Sequence, residues 1–306
     1  MLASIFEETG GPEVLRVAEL PVPEPGPGQV LIRVLASGIQ PADTAIRGGW
    51  TPPGTAITLP AVPGNEFAGV VERLGEGCSG WREGDAVLGF RLLGGHAQYV
   101  VVDAAQLVAK PDPMPWAVAG SLSASGQTAH VALTGLGVGR GDTVLVHGAS
   151  GGVGTVAVQL ARAWGATVIG TASERNHDYL RELGAIPVAY GPGLVDRVRG
   201  LAPGGVDAAL DAAGRGALDA SVELVADRDR IGTIVDYEAA ARLGLRGLRG
   251  ARTAERLAVL VGLWEAGALR LDIAGTFPLA RAAEAHRLVE DGHVRGKAVI
   301  TPWSAD

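Results

Sequence analysis

The sequence predicts an α/β fold with two domains, in which an all-β, barrel-like domain is joined to a domain with a doubly wound parallel sheet. The first observation is size and composition: the 306 residues are 47% hydrophobic and 19% charged, enough to bury two cores. The second is a change in the pattern of strands near Trp116. The third is a glycine-rich turn at 148–154 that joins a strand directly to a helix.

The N-terminal part of the chain predicts the all-β domain. From Ala3 to about Pro111, short β-branched runs are separated by proline and glycine. The runs that we predict as strands are 30–34, 67–71, 85–88 and 99–102. Strands of this length with frequent turn signals are typical of a compact all-β or barrel-like unit.

Beyond Trp116, predicted strands and helices alternate, as in a parallel sheet covered on both faces. The predicted helices are 125–133, a segment that ends at Trp164, and 174–183, and the predicted strands are 143–147, 166–170, 186–190, 206–210 and 230–235. From about Leu269 the chain leaves this unit, and a helix at 279–290 and a strand at 296–300 are assigned back to the first domain. The predicted boundaries are therefore 1–118 with 268–306 for the first domain, and 119–267 for the second.

Charge and cysteine content exclude several classes of partner. A formal net charge of -7 argues against a broad surface for nucleic acid, which needs clustered lysine and arginine. Cys78 stands alone and cannot form an intramolecular disulfide. The N-terminus is acidic, and no apolar run reaches the roughly 18 residues that span a membrane. We therefore expect a cytoplasmic protein with no nucleic-acid or membrane partner.

The glycine-rich turn predicts a nucleotide site. It follows the strand 143–147 and opens a helix, so free N–H groups and the helix dipole can meet a pyrophosphate. In the pattern G-x-G-x-x-G the glycine positions fall on Ala149, Gly151 and Gly154, and alanine replaces the first glycine. We predict that the cofactor contacts Ser150, Gly151, Gly152 and Val153. The alternative is a tight structural turn without a ligand.

The end of the next strand favours NADPH over NADH. An NAD enzyme usually has Asp or Glu there to bind the ribose 2′-hydroxyl, and this chain has Ala172. Ser173 and Arg175 follow, and they could surround a 2′-phosphate. Glu174 is interpreted as a helix-start acid that points to water, with Ser173 as the N-cap. Arg175 has an open alternative as a solvated helix residue.

Four motifs together resemble the zinc-free medium-chain dehydrogenase/reductases, in their quinone oxidoreductase and enoyl reductase branch. The motifs are His-Gly-Ala-Ser-Gly-Gly-Val-Gly at 147–154, Asn-Glu-Phe-Ala-Gly-Val-Val at 65–71, Gly-Gln-Thr-Ala at 126–129 and Gly-Lys-Ala-Val at 296–299. The likeness extends over nearly the whole chain. It implies a GroES-like β-barrel catalytic domain, a Rossmann domain that binds NADPH, and a homodimer that pairs sheet edges near 230–235. It also implies that Tyr190 lies near the 2′-phosphate, Thr128 beside the nicotinamide ribose, and Lys297 at the cofactor.

The resemblance also bears on metal content. Related zinc alcohol dehydrogenases carry a cysteine and a His-Glu pair around their zinc. This chain has Gln40 at the position of the cysteine, and Asn65 at the position of the histidine, directly before Glu66. Amides are poor zinc ligands, so we expect no zinc. The scattered histidines are interpreted as structural residues.

Without a metal, the expected chemistry is direct hydride transfer to an electrophilic carbon or a quinone. Gln40 and Thr128 are predicted to orient the reactants, while Asp43, Trp50 and Asn65 are assigned to the substrate side. Gln40 has an equal alternative in satisfying the backbone of its own loop, and Trp50 a comparable one in packing. For Asp43 a turn or cap role is favoured over that of a catalytic acid. Ala45 stands where family members commonly have a tyrosine, which removes an obvious proton donor.

Three functions are compatible with these residues. The preferred one is an NADPH-dependent reductase of quinones or α,β-unsaturated carbonyl compounds. The second is a specialised biosynthetic enoyl reductase or cyclising enzyme. The third is an NADPH-binding sensor without turnover.

Overall fold

The computed structural model of the protein describes residues 1–292 and 295–304. The chain divides into two units. The first contains residues 1–124, 252–262 and the segment from Asp272 onward, and the second contains residues 125–251 and 263–271. The predicted boundaries lie at 118/119 and 267/268. The segment 252–262 therefore lies in the first unit, although the sequence pattern places it in the second.

The strands in chain order are β1 (Leu2–Ile5), β2 (Arg16–Glu19), β3 (Gln29–Gly38), β4 (Glu66–Leu74), β5 (Ala86–Phe90), β6 (Tyr99–Asp103), β7 (Leu107–Ala109), β8 (Thr143–His147), β9 (Thr167–Ala172), β10 (Ile186–Ala189), β11 (Ala208–Asp211), β12 (Ile231–Thr233), β13 (Arg246–Gly247), β14 (Ile273–Phe277) and β15 (Lys297–Ile300). The helices are α1 (Pro41–Arg47), α2 (Trp116–Gly135), α3 (Gly152–Ala163), α4 (His177–Leu183), α5 (Leu194–Leu201), α6 (Ala217–Leu224), α7 (Tyr237–Leu243), α8 (Ala254–Glu265) and α9 (Ala282–Glu290). Each of the predicted strands and helices overlaps one of these elements.

The first unit is built on a mixed sheet with the order β14-β15-β3-β4-β5-β7, in which β6 also pairs with β3. β1 and β2 form a separate antiparallel pair. Val30, Ile32 and Val34 alternate along β3 and are fully buried, because alternate residues of a strand face the same side of a sheet. They pack against Phe67 of β4 and form one core of the unit.

Helix α1 begins where β3 ends, and this junction places several polar side chains. Pro41 occupies the first turn, where its missing N–H costs no hydrogen bond. Gln40 and Asp43 form a capping box around that turn. The short helix, which the sequence pattern does not predict, therefore begins at Pro41 and holds both residues in fixed positions.

The second unit is a parallel sheet with the strand order β10-β9-β8-β11-β12-β13. The chain builds outward from β8 through β9 to β10, then returns to the other side of β8. This order creates a topological switch point between β8 and β11, where doubly wound proteins bind ligands at the carboxyl ends of the strands. Leu145, Ile169, Ala209 and Ile231 form the centre of its core. The predicted α/β fold class is confirmed.

Two local expectations need correction. The segment 174–183 is not one continuous helix, because a 3-10 turn over Glu174–Asn176 precedes α4. The strand predicted at 230–235 is shortened to Ile231–Thr233, and the two-residue strand β13 lies outside it at the sheet edge. A strand of two residues is too short to give a sequence pattern. Among the described residues, no helix is long and apolar enough to cross a membrane.

Candidate active site

The turn between β8 and α3 leaves one face of the backbone open. Gly148 has a φ of 70°, and a Cβ there would lie 2.9 Å from the carbonyl oxygen of Ala212. A Cβ at Gly154 would collide with the carbonyl oxygen of Gly148, so the helix can pack closely on the turn only because this residue is glycine. At Gly151 a Cβ would meet that same oxygen at 3.3 Å, a tight contact that a shift of a few tenths of an ångström would relieve. Gly151 therefore lies where another molecule can approach the backbone.

Helix α3 begins at the switch point of the sheet. Gly151 is its N-cap, and the N–H of Thr155 makes a helical hydrogen bond to the Gly151 carbonyl at 2.8 Å. The N–H groups of the first turn have no partner within a helix and carry the positive end of its dipole. Ser150, Gly152 and Val153 are half-buried around this end. The arrangement suits a pyrophosphate group.

Ser173 and Tyr190 follow two neighbouring strands at the same edge of the second sheet. Ala172 of β9 pairs in register with Ala189 of β10, and these two residues directly precede them. Ala172 is buried and brings no carboxylate to this edge. Tyr190 is 59% exposed, so its hydroxyl can reach a ligand from solvent.

The 3-10 turn after Ser173 places the remaining polar residues of this edge. Glu174 and Arg175 are both exposed on it, and Glu174 faces water as its position predicts. Ser173 occupies the N-cap position, but its side chain does not cap the turn. Instead Asn176 Nδ2 donates to Ser173 Oγ at 3.4 Å and to Ser150 Oγ at 3.2 Å. Asn176 thus links the glycine turn to the end of β9, a contact that the sequence analysis missed.

The first unit contains a separate buried polar cluster, which we define as Gln40, Asp43, Asn65, Glu66, Arg252 and Lys297. Asp43 is completely buried and accepts hydrogen bonds from the backbone N–H of Gln40 at 2.8 Å and from Asn65 Nδ2 at 3.0 Å. The side-chain amide of Gln40 donates to Glu66. Gln40, Asp43 and Asn65, which the sequence assigns to catalysis and substrate, therefore lie together and bind one another.

Two cations complete the buried polar cluster. Lys297 Nζ lies 3.6 Å from Glu66 Oε1 and donates to the carbonyl of Ile39 at 3.2 Å. Arg252 donates to the backbone oxygen of Asn65 at 2.6 Å and to its Oδ1 at 3.1 Å. Glu66 also accepts the backbone N–H of Ala124 at 2.6 Å. The cluster pairs two carboxyl groups with two basic side chains, so its charges can balance without an ion from outside.

Burial controls the ionisation of this cluster. It raises the pKa of Asp43 to about 7, and the negative charge of Glu66 acts in the same direction, while the Gln40 N–H and Lys297 oppose it. Burial also lowers the pKa of Lys297, although Glu66 and Asp43 favour its charged form. The pKa of Arg252 is lowered by burial as well.

These residues do not fit a zinc ion. The amides at the two expected ligand positions are engaged, Gln40 with Glu66 and Asn65 with Asp43 and Arg252. The ammonium of Lys297 beside Glu66 would repel a divalent cation. Within residues 1–292 and 295–304, no group of three or more His, Cys, Asp or Glu side chains could hold a metal.

Two further predicted site residues do not belong to the buried polar cluster. Thr128 is half-buried on α2 in the second unit. Trp50 follows α1 and is 47% exposed. His130, which the sequence analysis interpreted as a packing residue, stacks edge-on against Trp164 with 5.4 Å between ring centroids. Arg252 was not predicted, because the stretch 249–252, with an arginine at each end, carries no site pattern.

Two protein-family models match the chain. Residues 26–112 match the alcohol dehydrogenase GroES-like domain, and residues 183–300 match the zinc-binding dehydrogenase domain. The match at 26–112 lies within the first unit. The second match names zinc as a property of that family, whereas the zinc ligand positions of this chain hold Gln40 and Asn65.

Curated relatives match along almost the whole chain. A chloroplastic quinone oxidoreductase, QR1 of Triphysaria versicolor, is 31% identical over 96% of this chain and 95% of its own length. The pikromycin polyketide synthase component PikAII of Streptomyces venezuelae is 37% identical over 93% of this chain. This chain spans 8% of that synthase component.

Solved structures have the same fold. An NAD-dependent alcohol dehydrogenase has a TM-score of 0.88 at 32% identity, covering 99% of this chain and 100% of its own. Mycobacterial Rv1454c complexed with NADPH has a TM-score of 0.87 at 32% identity, with the same coverage. The neighbours thus include proteins described with either nicotinamide cofactor.

Proposed function

Because the chain belongs to the medium-chain dehydrogenase/reductase family, with quinone oxidoreductases among its relatives, we propose that it is an NADPH-dependent reductase of quinones or α,β-unsaturated carbonyl compounds. The observation that carries the proposal is the open glycine turn at the switch point, combined with Ala172 at the end of β9. The turn suits a dinucleotide, and the missing acid favours a 2′-phosphate over a 2′-hydroxyl.

The residues of the second unit fit NADPH. Gly151, Gly152, Val153 and Ser150 would bind the pyrophosphate through the first turn of α3. Ser173, Arg175 and Tyr190 would bind the 2′-phosphate, since they offer hydroxyl and guanidinium donors at one edge of the sheet. When bound, this cofactor supplies the hydride from its nicotinamide ring.

The chain's own contribution to the reaction is to orient the reactants. We assign this role to Thr128 and Gln40. The side chain of Gln40 is held in place by its hydrogen bond to Glu66 and by the capping box of α1. Lys297 remains a proposed cofactor residue, and Asp43, Asn65 and Trp50 remain proposed substrate-side residues. Ala45 offers no proton, so solvent would protonate the reduced product.

Three further properties are part of the proposal. The enzyme works without zinc, which the engaged amides of Gln40 and Asn65 and the nearby ammonium of Lys297 support. It forms a homodimer through the edge of the second sheet. It acts on a small molecule in the cytoplasm.

A specialised biosynthetic reductase is the second candidate. The 37% identity to a segment of the polyketide synthase component PikAII favours it over the NADPH-binding sensor. An enoyl thioester is the substrate class that would distinguish this candidate from a general quinone reductase.

The test is NADPH oxidation with a panel of quinones, simple enones and enoyl thioesters, using NADPH deuterated at the transferred position. Reduction with deuterium in the product would support the reductase, and the preferred acceptor would separate the two candidates. NADPH binding without oxidation by any acceptor would support the sensor instead.

Variants test the orienting residues. Thr128→Ala and Gln40→Ala are expected to lower turnover about tenfold or more, because lost alignment raises the barrier directly, and this effect should exceed their effect on stability. Thr134→Ala is the matched control, since Thr134 is an exposed threonine on the same helix. Full activity in both orienting variants would contradict the assignment.

A further inference from the structure

Arg197 of α5 folds back onto the loop that joins β10 to α5. Its Nη1 donates to the carbonyl oxygen of Pro192 at 2.8 Å, and its Nη2 donates to that of Ala189 at 2.8 Å. The same Nη2 lies 3.5 Å from the Tyr190 carbonyl oxygen and 3.4 Å from that of Gly191. One guanidinium therefore contacts four consecutive carbonyls.

The loop depends on these contacts because its own sequence is flexible. Gly191 and Gly193 have φ values of 92° and 76°, a region that glycine enters easily and other residues avoid. Two glycines around Pro192 leave the unbound loop many conformations. The planar fork of an arginine selects the one in which the carbonyls turn toward it.

This loop carries a proposed cofactor residue. Tyr190 directly follows Ala189, whose pairing with Ala172 sets Tyr190 beside Ser173 at the sheet edge. Holding the carbonyls on both sides of Tyr190 fixes the direction in which its exposed side chain leaves the backbone. Arg197 also brings a positive charge to the loop, since the neighbouring Asp196 pairs with Arg199 at 3.8 Å.

We propose that Arg197 is a positioning residue that determines selectivity for NADPH over NADH, because it fixes Tyr190 beside Ser173 at the place of the 2′-phosphate. This inference rests on the proposed function. It assigns Arg197 no contact with the reacting atoms, so its effect falls on cofactor affinity rather than on the hydride step.

The experiment is calorimetric titration of Arg197→Gln with NADPH, NADH, 2′,5′-ADP and AMP. The two adenosine compounds differ in the 2′-phosphate and report on the site without any turnover. The variant is expected to bind NADPH and 2′,5′-ADP about tenfold more weakly, the equivalent of one lost charge-assisted hydrogen bond. Binding of NADH and AMP is expected to change by less than about twofold.

Two further variants separate positioning from charge and from folding. Arg197→Lys keeps the charge but lacks the planar fork, and it is expected to lose most of the selectivity as well. Arg242→Gln on α7 is the matched control, because Arg242 is an exposed arginine of the same unit, and it should bind all four compounds as the wild type does. In steady-state assays, Arg197→Gln should raise KM for NADPH and leave kcat nearly unchanged.

Each contrary result has its own meaning. A wild type that binds NADPH no better than NADH would overturn the cofactor assignment and this inference together. A selective wild type with an equally selective Arg197→Gln would overturn the inference alone. If Arg197→Gln weakened the binding of all four compounds equally, Arg197 would have a purely structural role. If Arg197→Lys kept the selectivity of the wild type, a positive charge alone would be sufficient and the planar guanidinium would not position Tyr190.

Discussion

Lys297 and Glu66 form an ion pair with almost no access to water. Their side chains are 4% and 0% exposed, and 3.6 Å separates the Nζ and Oε1 atoms. Removing two charges from water is costly, and the attraction between them offsets that cost only while both are present. Each residue therefore stabilises the fold mainly by compensating the other.

A double-mutant cycle tests this interdependence. Lys297→Met is expected to lower the free energy of unfolding by about 3–5 kcal/mol, because it leaves the carboxylate of Glu66 buried without its cation. The double variant Glu66→Gln with Lys297→Met should recover much of that loss. Arg33→Met is the control, since its ion pair with Glu72 is exposed and should contribute about 0–1 kcal/mol. Additive effects of the two buried substitutions in urea unfolding would contradict the pairing.

His96 and His286 are buried in the first unit with polar atoms that lack partners. In the part of the chain that the structure describes, Nε2 of His286 has no hydrogen-bond partner, and the backbone of Gly38 approaches His96 without a well-formed hydrogen bond to either ring nitrogen. The rings meet edge-on with 5.6 Å between centroids. Arg47 donates to His286 Nδ1 at 3.2 Å, so we assign the proton of His286 to Nε2.

Burial lowers the pKa of both histidines, to about 4 for His96 and about 2 for His286. The charges of His96 and Arg47 lower the pKa of His286 further. Both rings are therefore neutral in the folded protein at neutral pH.

The pH dependence of stability follows from these directions. Between pH 6.5 and 4 the unfolded chain binds a proton on His96 that the folded chain does not, so stability falls as the pH falls. His96→Gln should remove the contribution of His96 to this pH dependence. The slope of the free energy of unfolding against pH should fall by up to about 1.4 kcal/mol per pH unit. Protonation of the buried Asp43 raises stability as the pH falls through the same range, which opposes the effect of His96. This contribution cancels when the wild type is compared with His96→Gln, because both proteins retain Asp43. Parallel unfolding curves of wild type and variant from pH 4.5 to 7 would contradict the assignment.

At the scale of elements, two glycines of the turn before α3 have different tasks. Gly154 allows the helix to pack on the turn, and Gly151 leaves the backbone open to a ligand. Gly154→Ala should destabilise the protein by about 1–3 kcal/mol, because the new methyl group overpacks against the Gly148 carbonyl. Gly151→Ala should leave stability within about 0.5 kcal/mol and weaken NADPH binding. Thermal unfolding and NADPH titration of both variants check the contrast, which fails if they lose stability equally.

The elements differ in how far the sequence predicts them. β8 has its predicted bounds, because the first four of its five residues are apolar or β-branched and the strand ends at a glycine turn. α1 was not predicted, since seven residues that begin with a proline give too little periodicity to distinguish a helix from a turn. The glycine turn was readable because its residues are contiguous. The contact of Arg252 with Asn65 could not be predicted from the sequence, because the two residues are 187 positions apart and only the folded chain brings them together.

At the scale of the whole molecule, the edge of the second sheet is the best surface for self-association. β13 is the outermost strand, and both of its residues are exposed. The N–H of Leu248 donates inward to Thr233 at 2.8 Å, so the N–H of the preceding residue, Gly247, points outward. Such an edge can pair with the same edge of a second copy about a two-fold axis.

We therefore expect a particle of twice the 31.2 kDa chain mass in light scattering. Gly247→Pro should favour the monomer, because it removes the outward N–H while a proline is tolerated at a sheet edge. Gly247→Ala is the matched control: it adds the same Cβ beside Tyr237, 2.9 Å from the ring, but keeps the N–H and should remain dimeric. A monomeric wild type at working concentrations would reject the dimer. A dimeric Gly247→Pro variant would mean that the two copies associate through a different surface.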